Sequence, residues 1–175
     1  MSYEVYLCEH EVKSIVKDLG DEITQYCEEH NIKDLLVVGI MNGSLLFTAD
    51  LIRYLDPHIE VQTIYTKSYI NNSNEGNTLI CQGMDSFNYQ NRTVLLVDDV
   101  YDSGNTMDWL RDRFKSTGAK EVLSCVLIDK LPGHPNKNSN IDFIGHIMTE
   151  KKFLVGYGMD DNKLYRNTNE ILIKL

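Results

Sequence analysis

Residues 35–40 (LLVVGI) and 94–97 (VLLV) carry no polar side chain, and residues 122–128 (VLSCVLI) are interrupted only by Ser124. A strand with one wet face alternates apolar and polar residues. A strand without that alternation is covered on both faces. Helical patterns lie between these runs. Over residues 9–30, Val12, Ile15, Val16, Leu19, Ile23 and Tyr26 recur at three- and four-residue steps and form one apolar face, interrupted by Gly20. Residues 45–54 and 106–117 read as further helices, the second ended by Gly118. Residues 60–66, 141–147 and 153–157 read as additional strands. Buried strands alternating with helices predict an α/β fold with a mainly parallel central sheet flanked by helices. Residues 70–83 (INNSNEGNTLICQG) are rich in Asn, Ser and Gly and read mostly as a loop. Loops of that length in compact chains commonly serve as lids or binding loops.

The chain has 175 residues, enough for one core, with 42% apolar and 25% charged side chains as in ordinary globular proteins. It shows no internal repeat, low-complexity tract or linker. No apolar run nears the roughly 18 residues of a membrane span. The N-terminal MSYEVYLCEHEVKS lacks the basic-then-apolar order of a secretory signal. These features predict a cytoplasmic protein without a membrane partner. Cys8, Cys27, Cys81 and Cys125 are scattered, form no zinc spacing and read as reduced thiols. The net charge of −9 opposes nucleic-acid binding, which uses a basic face. It leaves room for anionic small molecules at a local site.

Residues 93–107 (TVLLVDDVYDSGNTM) have the most chemical content. The buried run meets Asp98 and Asp99, then Asp102, then the small-residue turn Ser103, Gly104, Asn105 and Thr106. A strand, a glycine-containing turn and a helix make a phosphate site, because free amides at the helix start face the ligand and the helix dipole favours negative charge. Gly104 lets the backbone approach, and Ser103 and Thr106 add hydroxyl donors. Such junctions are common, and the acids narrow the choice. Carboxylates beside a phosphate repel it unless something between them needs acceptors, such as sugar hydroxyls or a divalent cation. Magnesium is held by a few carboxylates together with substrate phosphates. The pattern fits a phosphorylated sugar with a metal; the plain alternative is that Asp98 and Asp99 only cap and solvate a strand end. Ligands of parallel sheets sit at the carboxyl ends of strands. Asp98, Asp99, Met41, Asn42 and Gly43 all fall at that edge.

VLLVDDVYDSGNT resembles the signature of type I phosphoribosyltransferases, which bind 5-phosphoribosyl-1-pyrophosphate. Neither the Rossmann glycine pattern nor the P-loop occurs. LLVVGIMNGSLLFTADLIRYL is similar to the first strand, pyrophosphate loop and following helix of one branch, the hypoxanthine-guanine phosphoribosyltransferases. KSY at 67–69 resembles the start of that branch's lid. LIDK at 127–130 resembles its purine-reading strand end, and FLVGYGMDDNKLYRN at 153–167 its base-stacking hood and tail. The resemblance covers essentially the whole chain. It implies the type I phosphoribosyltransferase fold with a small hood formed by terminal segments. Residues 1–175 would be a single domain, with a mobile lid at about 68–83 and a hood including about 130–175. It further implies purine salvage: transfer of phosphoribosyl from phosphoribosyl pyrophosphate to a 6-oxopurine base, hypoxanthine and/or guanine. The products would be a nucleoside monophosphate (IMP or GMP) and pyrophosphate, with Mg2+ as cofactor, in a homodimer or homotetramer. A xanthine- or guanine-preferring relative is one alternative. A nucleotide-binding regulator on the same fold is another, for which a basic face is expected.

The resemblance also implies roles. Asp98 and Asp99 hold the ribose 2- and 3-hydroxyls, directly or beside magnesium. Residues 102–106 (Asp102, Ser103, Gly104, Asn105, Thr106) cradle the 5-phosphate, and Asp102 handles the proton near N7 of the purine as catalytic residue. Met41, Asn42 and Gly43 contact pyrophosphate through backbone amides, with a non-proline cis peptide implied at Met41–Asn42; an ordinary turn is the plainer reading. Ser68 and Tyr69 begin the lid. Phe153, which composition alone would put in the core, stacks on the purine. Lys130 donates to its 6-oxo group, and Leu154 offers a backbone carbonyl. Asp160 helps hold a second magnesium through waters, and Arg166 grips pyrophosphate, unless it is a surface ion pair. The chain departs from the family at Asp98, where Glu is common, and at Asn42, where Lys or Arg is frequent. After Lys130 the family often carries a Pro-x-Arg run; LPGHPNK stands here, with His134 or Lys137 as the nearby basic residues.

Overall fold

The computed structural model describes residues 2–56, 58–70, 77–134 and 139–175. In chain order the elements are β1 (Tyr3–Leu7), α1 (Glu9–Glu29), β2 (Leu36–Met41), α2 (Leu45–Leu51), β3 (Glu60–Ile70) and β4 (Asn77–Gln82). They continue with β5 (Thr93–Tyr101), α3 (Asn105–Ser116), β6 (Glu121–Lys130), β7 (Phe143–Met148), β8 (Phe153–Val155) and β9 (Ile171–Lys174). The main sheet has six strands in the order β4-β3-β2-β5-β6-β7. All its pairs are parallel except β3 with β4 at the edge. A smaller antiparallel sheet, β1-β9-β8, joins the two chain ends to the segment after β7 and forms the hood.

The central strands are apolar throughout because each face has its own core. Leu36, Val38 and Ile40 of β2, Val94 and Leu96 of β5, and Val122 and Val126 of β6 pack with Met107, Leu110 and Phe114 of α3. The intervening residues Val37, Leu95, Val97, Leu123, Cys125 and Leu127 pack on the other side with Val12, Val16, Leu19 and Ile23 of α1 and Phe47 and Leu51 of α2. Ser124, the polar break in β6, is buried and satisfied: its hydroxyl donates to Asp142 Oδ2 at 2.7 Å and its backbone N–H to the same oxygen at 2.8 Å. Helix α1 opens with the Glu11 carboxylate accepting the Cys8 backbone N–H at 2.8 Å.

Residues 77–82, expected within a loop over 70–83, form β4 instead. The ladder runs from Tyr65↔Gln82 to Ile70↔Asn77. Thr78, Leu79, Ile80 and Cys81 tolerate extended backbone, but only the β3 partner makes them a strand. Asn, Ser and Gly around them dilute that local signal. Residues 71–76, the most polar part of the expected loop, lie outside the described residues. The helix expected over 45–54 stops at Leu51. The hood strands β1 and β9 are not among the expected strands: β1 has no apolar run, and that of β9 is only Ile171, Leu172 and Ile173. β5 and β6 run further than expected, to Tyr101 and Lys130. Asp99 and Lys130 therefore stand, like Asp98, on strands of the sheet rather than on loops beyond it.

Candidate active site

The carboxyl ends of β2, β5 and β6 face the hood across a cleft of about 350 Å³. Asp98 and Asp99 reach it from β5, Asp102 from the turn after it and Thr106 from the first turn of α3. Met41 and Gly43 come from the end of β2 and the turn after it, and Lys130 from the end of β6. Phe153, Leu154, Asp160 and Arg166 line the hood side. Asn42, Ser103, Gly104 and Asn105 belong to the same turns but do not line the cleft. Ser68 and Tyr69 lie on β3 just past Thr66, which does line it. Ile40, Val100 and Met159 also line it, and their apolar side chains gave no chemical cue in the sequence. A second cavity of about 460 Å³ lies away from this edge, beside Ile23, Cys27, Leu35 and Leu55, with Glu28, Lys33, Asp56 and His58 also on its wall.

The turn after β2 is built for close approach. The Met41–Asn42 peptide is cis, as the resemblance implies. A Cβ on Gly43 would overlap the Asp99 carboxylate, lying 2.7 Å from its Cγ, so glycine lets this backbone rest against the acid. The Asp99 N–H donates to Asp98 Oδ1 at 3.0 Å. Burial pushes the Asp98 carboxyl well above the ordinary carboxylate range, and the neighbouring Asp99 charge adds to it. Burial also raises Asp99, against the opposing pull of hydrogen bonds and the more distant Arg166 charge. The two cations of the cleft are engaged with other acids. Lys130 Nζ meets Asp102 Oδ2 at 3.0 Å. Arg166 holds Asp160 Oδ1 at 2.6 Å and donates to the Gly158 carbonyl at 2.5 Å. Phe153 is 51% exposed, which separates it from the core, and Lys174 Nζ lies 5.7 Å from its ring centroid.

Among the described residues no group of three or more His, Cys, Asp or Glu side chains forms a metal cage. Asp98, Asp99 and Asp160 are therefore not one cage. The donor set still fits magnesium, which needs one or two carboxylates and completes its sphere with water and substrate phosphates. Asp98 and Asp99 supply adjacent carboxyls with no salt-bridge partner among the described residues.

A family model described as "Phosphoribosyl transferase domain" matches residues 8–162. This chain belongs to that family. It is similar to the hypoxanthine-guanine phosphoribosyltransferase of Bacillus subtilis (strain 168), 33% identical over 165 residues that cover 94% of this chain and 88% of the relative. It is also similar to the hypoxanthine phosphoribosyltransferase of Haemophilus influenzae, 29% identical over 169 residues, covering 96% and 93%. Among solved structures it superposes on a hypoxanthine-guanine phosphoribosyltransferase (hpt-2) of Bacillus anthracis with a TM-score of 0.83 and 25% identity, over 100% of both chains. The fold is thus that of the type I phosphoribosyltransferases. In this phosphoribosyl transferase the cleft opens where the 93–107 segment passes from strand to helix, between the main sheet and the hood.

Proposed function

We propose that this phosphoribosyl transferase moves the 5-phosphoribosyl group of phosphoribosyl pyrophosphate onto hypoxanthine and/or guanine, giving IMP or GMP and pyrophosphate. What supports this most is the convergence in one cleft of Asp98 and Asp99 of β5, Asp102 and Thr106 on either side of the turn into α3, Lys130 and the exposed ring of Phe153. The names of the relatives from Bacillus subtilis and Haemophilus influenzae support the base class.

A purine ring nitrogen bonds to the anomeric carbon, the bond from that carbon to a pyrophosphate oxygen breaks, and the base gives up a proton. Asp102 takes the proton near N7 as a general base. Its pairing with Lys130 ties that step to recognition. Base binding draws Lys130 to the 6-oxo group and leaves Asp102 to act. Asp98 and Asp99 hold the ribose hydroxyls. Asp102, Ser103, Gly104, Asn105 and Thr106 surround the 5-phosphate with amides and hydroxyls at the helix start. Met41, Asn42 and Gly43 meet pyrophosphate through their backbone, and Arg166 leaves Asp160 to grip it. Mg2+ held by Asp98 and Asp99, with a second ion near Asp160, supplies charge neutralisation for the leaving group. Phe153 stacks on the purine, and the Leu154 carbonyl meets its far edge. Ser68 and Tyr69 start a lid over about 68–83 that excludes water from the activated sugar. Residues 1–175 act as a single domain in a cytoplasmic homodimer or homotetramer, with the hood built from β1, β8 and β9; β7, inside the hood expected over about 130–175, belongs to the main sheet.

The test is pyrophosphate release from phosphoribosyl pyrophosphate and magnesium on adding hypoxanthine, with nucleotide measured in parallel. Equimolar IMP and pyrophosphate, both dependent on the base, are expected. Nucleotide binding without base-dependent release would indicate a regulator instead.

A further inference from the structure

His134 is one of the two basic residues in the run where the family often carries an arginine, yet it does not line the cleft. Its side chain is 2% exposed, and its Nε2 lies 2.7 Å from Asp129 Oδ1, also 2% exposed. Taking two such groups out of water is costly, so a pair like this is weak support for stability alone. The pair brackets a short loop. Asp129 is the next-to-last residue of β6, and His134 follows a 3-10 turn over Leu131–Gly133, its N–H donating to the Leu131 carbonyl at 3.1 Å. Lys130, bonded to Asp102, lies between them.

Gly133 lies directly on Asp102. A Cβ there would overlap the Asp102 carboxylate and lie 2.6 Å from its carbonyl oxygen. On its other side the His134 ring meets Tyr101 edge to face, with centroids 4.9 Å apart and planes at 70°. Tyr101 is buried, and its hydroxyl donates to Asp108 on α3 at 3.2 Å. The contacts close a ring. His134 is joined to Gly133 and packed on Tyr101; Asp102 is joined to Tyr101 and packed on Gly133.

We propose that the buried Asp129–His134 pair is a positioning device that sets the Asp102 carboxylate against the bound base. This rests on the reading of Asp102 as the general base. Neither Asp129 nor His134 lines the cleft. The pair anchors the 131–133 turn from below and the Tyr101 ring from the side, so that two distant chain segments hold one catalytic side chain.

The experiment compares wild type, His134→Ala and His134→Gln at a temperature below every melting midpoint. Turnover is divided by the number of sites that bind phosphoribosyl pyrophosphate, measured by calorimetry. Loss of fold alone removes sites and leaves turnover per site unchanged. Displacement of Asp102 lowers turnover per site, by about 30- to 100-fold for His134→Ala, since small misplacements of catalytic groups cost on that order. Glutamine keeps a donor near the Nε2 position and is expected to recover turnover to within about tenfold of wild type. In an Asp102→Asn background, His134→Ala is expected to cost less than about threefold further, because groups acting through one another are non-additive. An active wild type with His134→Ala turnover per site within about threefold of it, or full additivity with Asp102→Asn, overturns the positioning role alone. A wild type that releases no pyrophosphate overturns the enzymatic reading and this role with it.

Discussion

Asp102 and Lys130 hold each other at 3.0 Å across the cleft. Asp102→Asn keeps the shape and removes the base, so kcat is expected to fall about 100- to 10,000-fold with a much smaller change in KM for phosphoribosyl pyrophosphate. Steady-state kinetics retaining half of wild-type turnover would remove Asp102 from the mechanism. Gly133→Ala attacks the same carboxylate by sterics, because the added methyl overlaps it and meets its backbone. Turnover is expected to drop at least about tenfold. Unchanged turnover would mean that the 131–133 turn yields without moving Asp102. At this scale the acids of residues 98–102 were legible because carboxylates gathered at a strand end have few structural reasons to be there, whereas Lys130 came with the family resemblance. Thr66, Val100 and Met159 were not, since a neutral side chain lining a cleft looks the same in sequence as one lining a core. The Asp102 contact with Gly133 and the buried His134 were hidden too, because they join segments far apart in the chain.

The three central strands and helices α1 and α3 were legible because their periodicity is local and both sheet faces are filled. β4, β1 and β9 were not, because each becomes a strand through a distant partner. If the β3–β4 hairpin carries the lid, amide exchange over its β4 residues is expected to slow when a substrate analogue binds. Equal exchange with and without the analogue would make the hairpin a passive edge. At the opposite end of the sheet, Arg92 at the start of β5 bonds Glu60 at the start of β3 and the Asp34 carbonyl before β2. The Arg92 guanidinium, with help from Gln62, holds the Glu60 carboxyl below the ordinary carboxylate value of 4.5. A depressed carboxyl stabilises the fold above its unfolded pKa, and that contribution fades as pH falls through the lower folded value. Arg92→Met is therefore expected to destabilise by about 0.5–1 kcal/mol at neutral pH, as half-exposed ion pairs do. The gap to wild type should narrow as pH falls below about 4.5. Urea unfolding with the same gap at both pH values would show that the pair contributes nothing electrostatic.

The whole molecule sets a rigid sheet edge that carries the acids against a hood that carries Phe153, Leu154 and Arg166. The hood is anchored at both chain ends: Asp161 accepts from the Tyr3 hydroxyl at 2.8 Å and from Lys174 at 2.5 Å, and Tyr157 reaches Asp50 of α2 at 2.7 Å. The family and the central α/β architecture were legible because the main motif couples a local pattern to a specific chemistry. The hood strands came only with the family resemblance. Excess chelator is expected to abolish transfer, since the paired acids of β5 would otherwise face pyrophosphate unscreened. Undiminished turnover would remove magnesium from the account. The most direct test of the central claim is kcat/KM for hypoxanthine against adenine, with phosphoribosyl pyrophosphate and magnesium in one buffer. Lys130 carries only donors, and adenine presents an amino group where hypoxanthine presents an oxygen, whereas the stacking proposed for Phe153 would favour neither base. A site that reads the base by such a hydrogen bond discriminates by roughly 10,000-fold, so hypoxanthine is expected to win by about that factor, with Lys130→Met reducing its rate. Values within about tenfold of each other, a difference of only ~1.4 kcal/mol, would contradict a cleft built for 6-oxopurines.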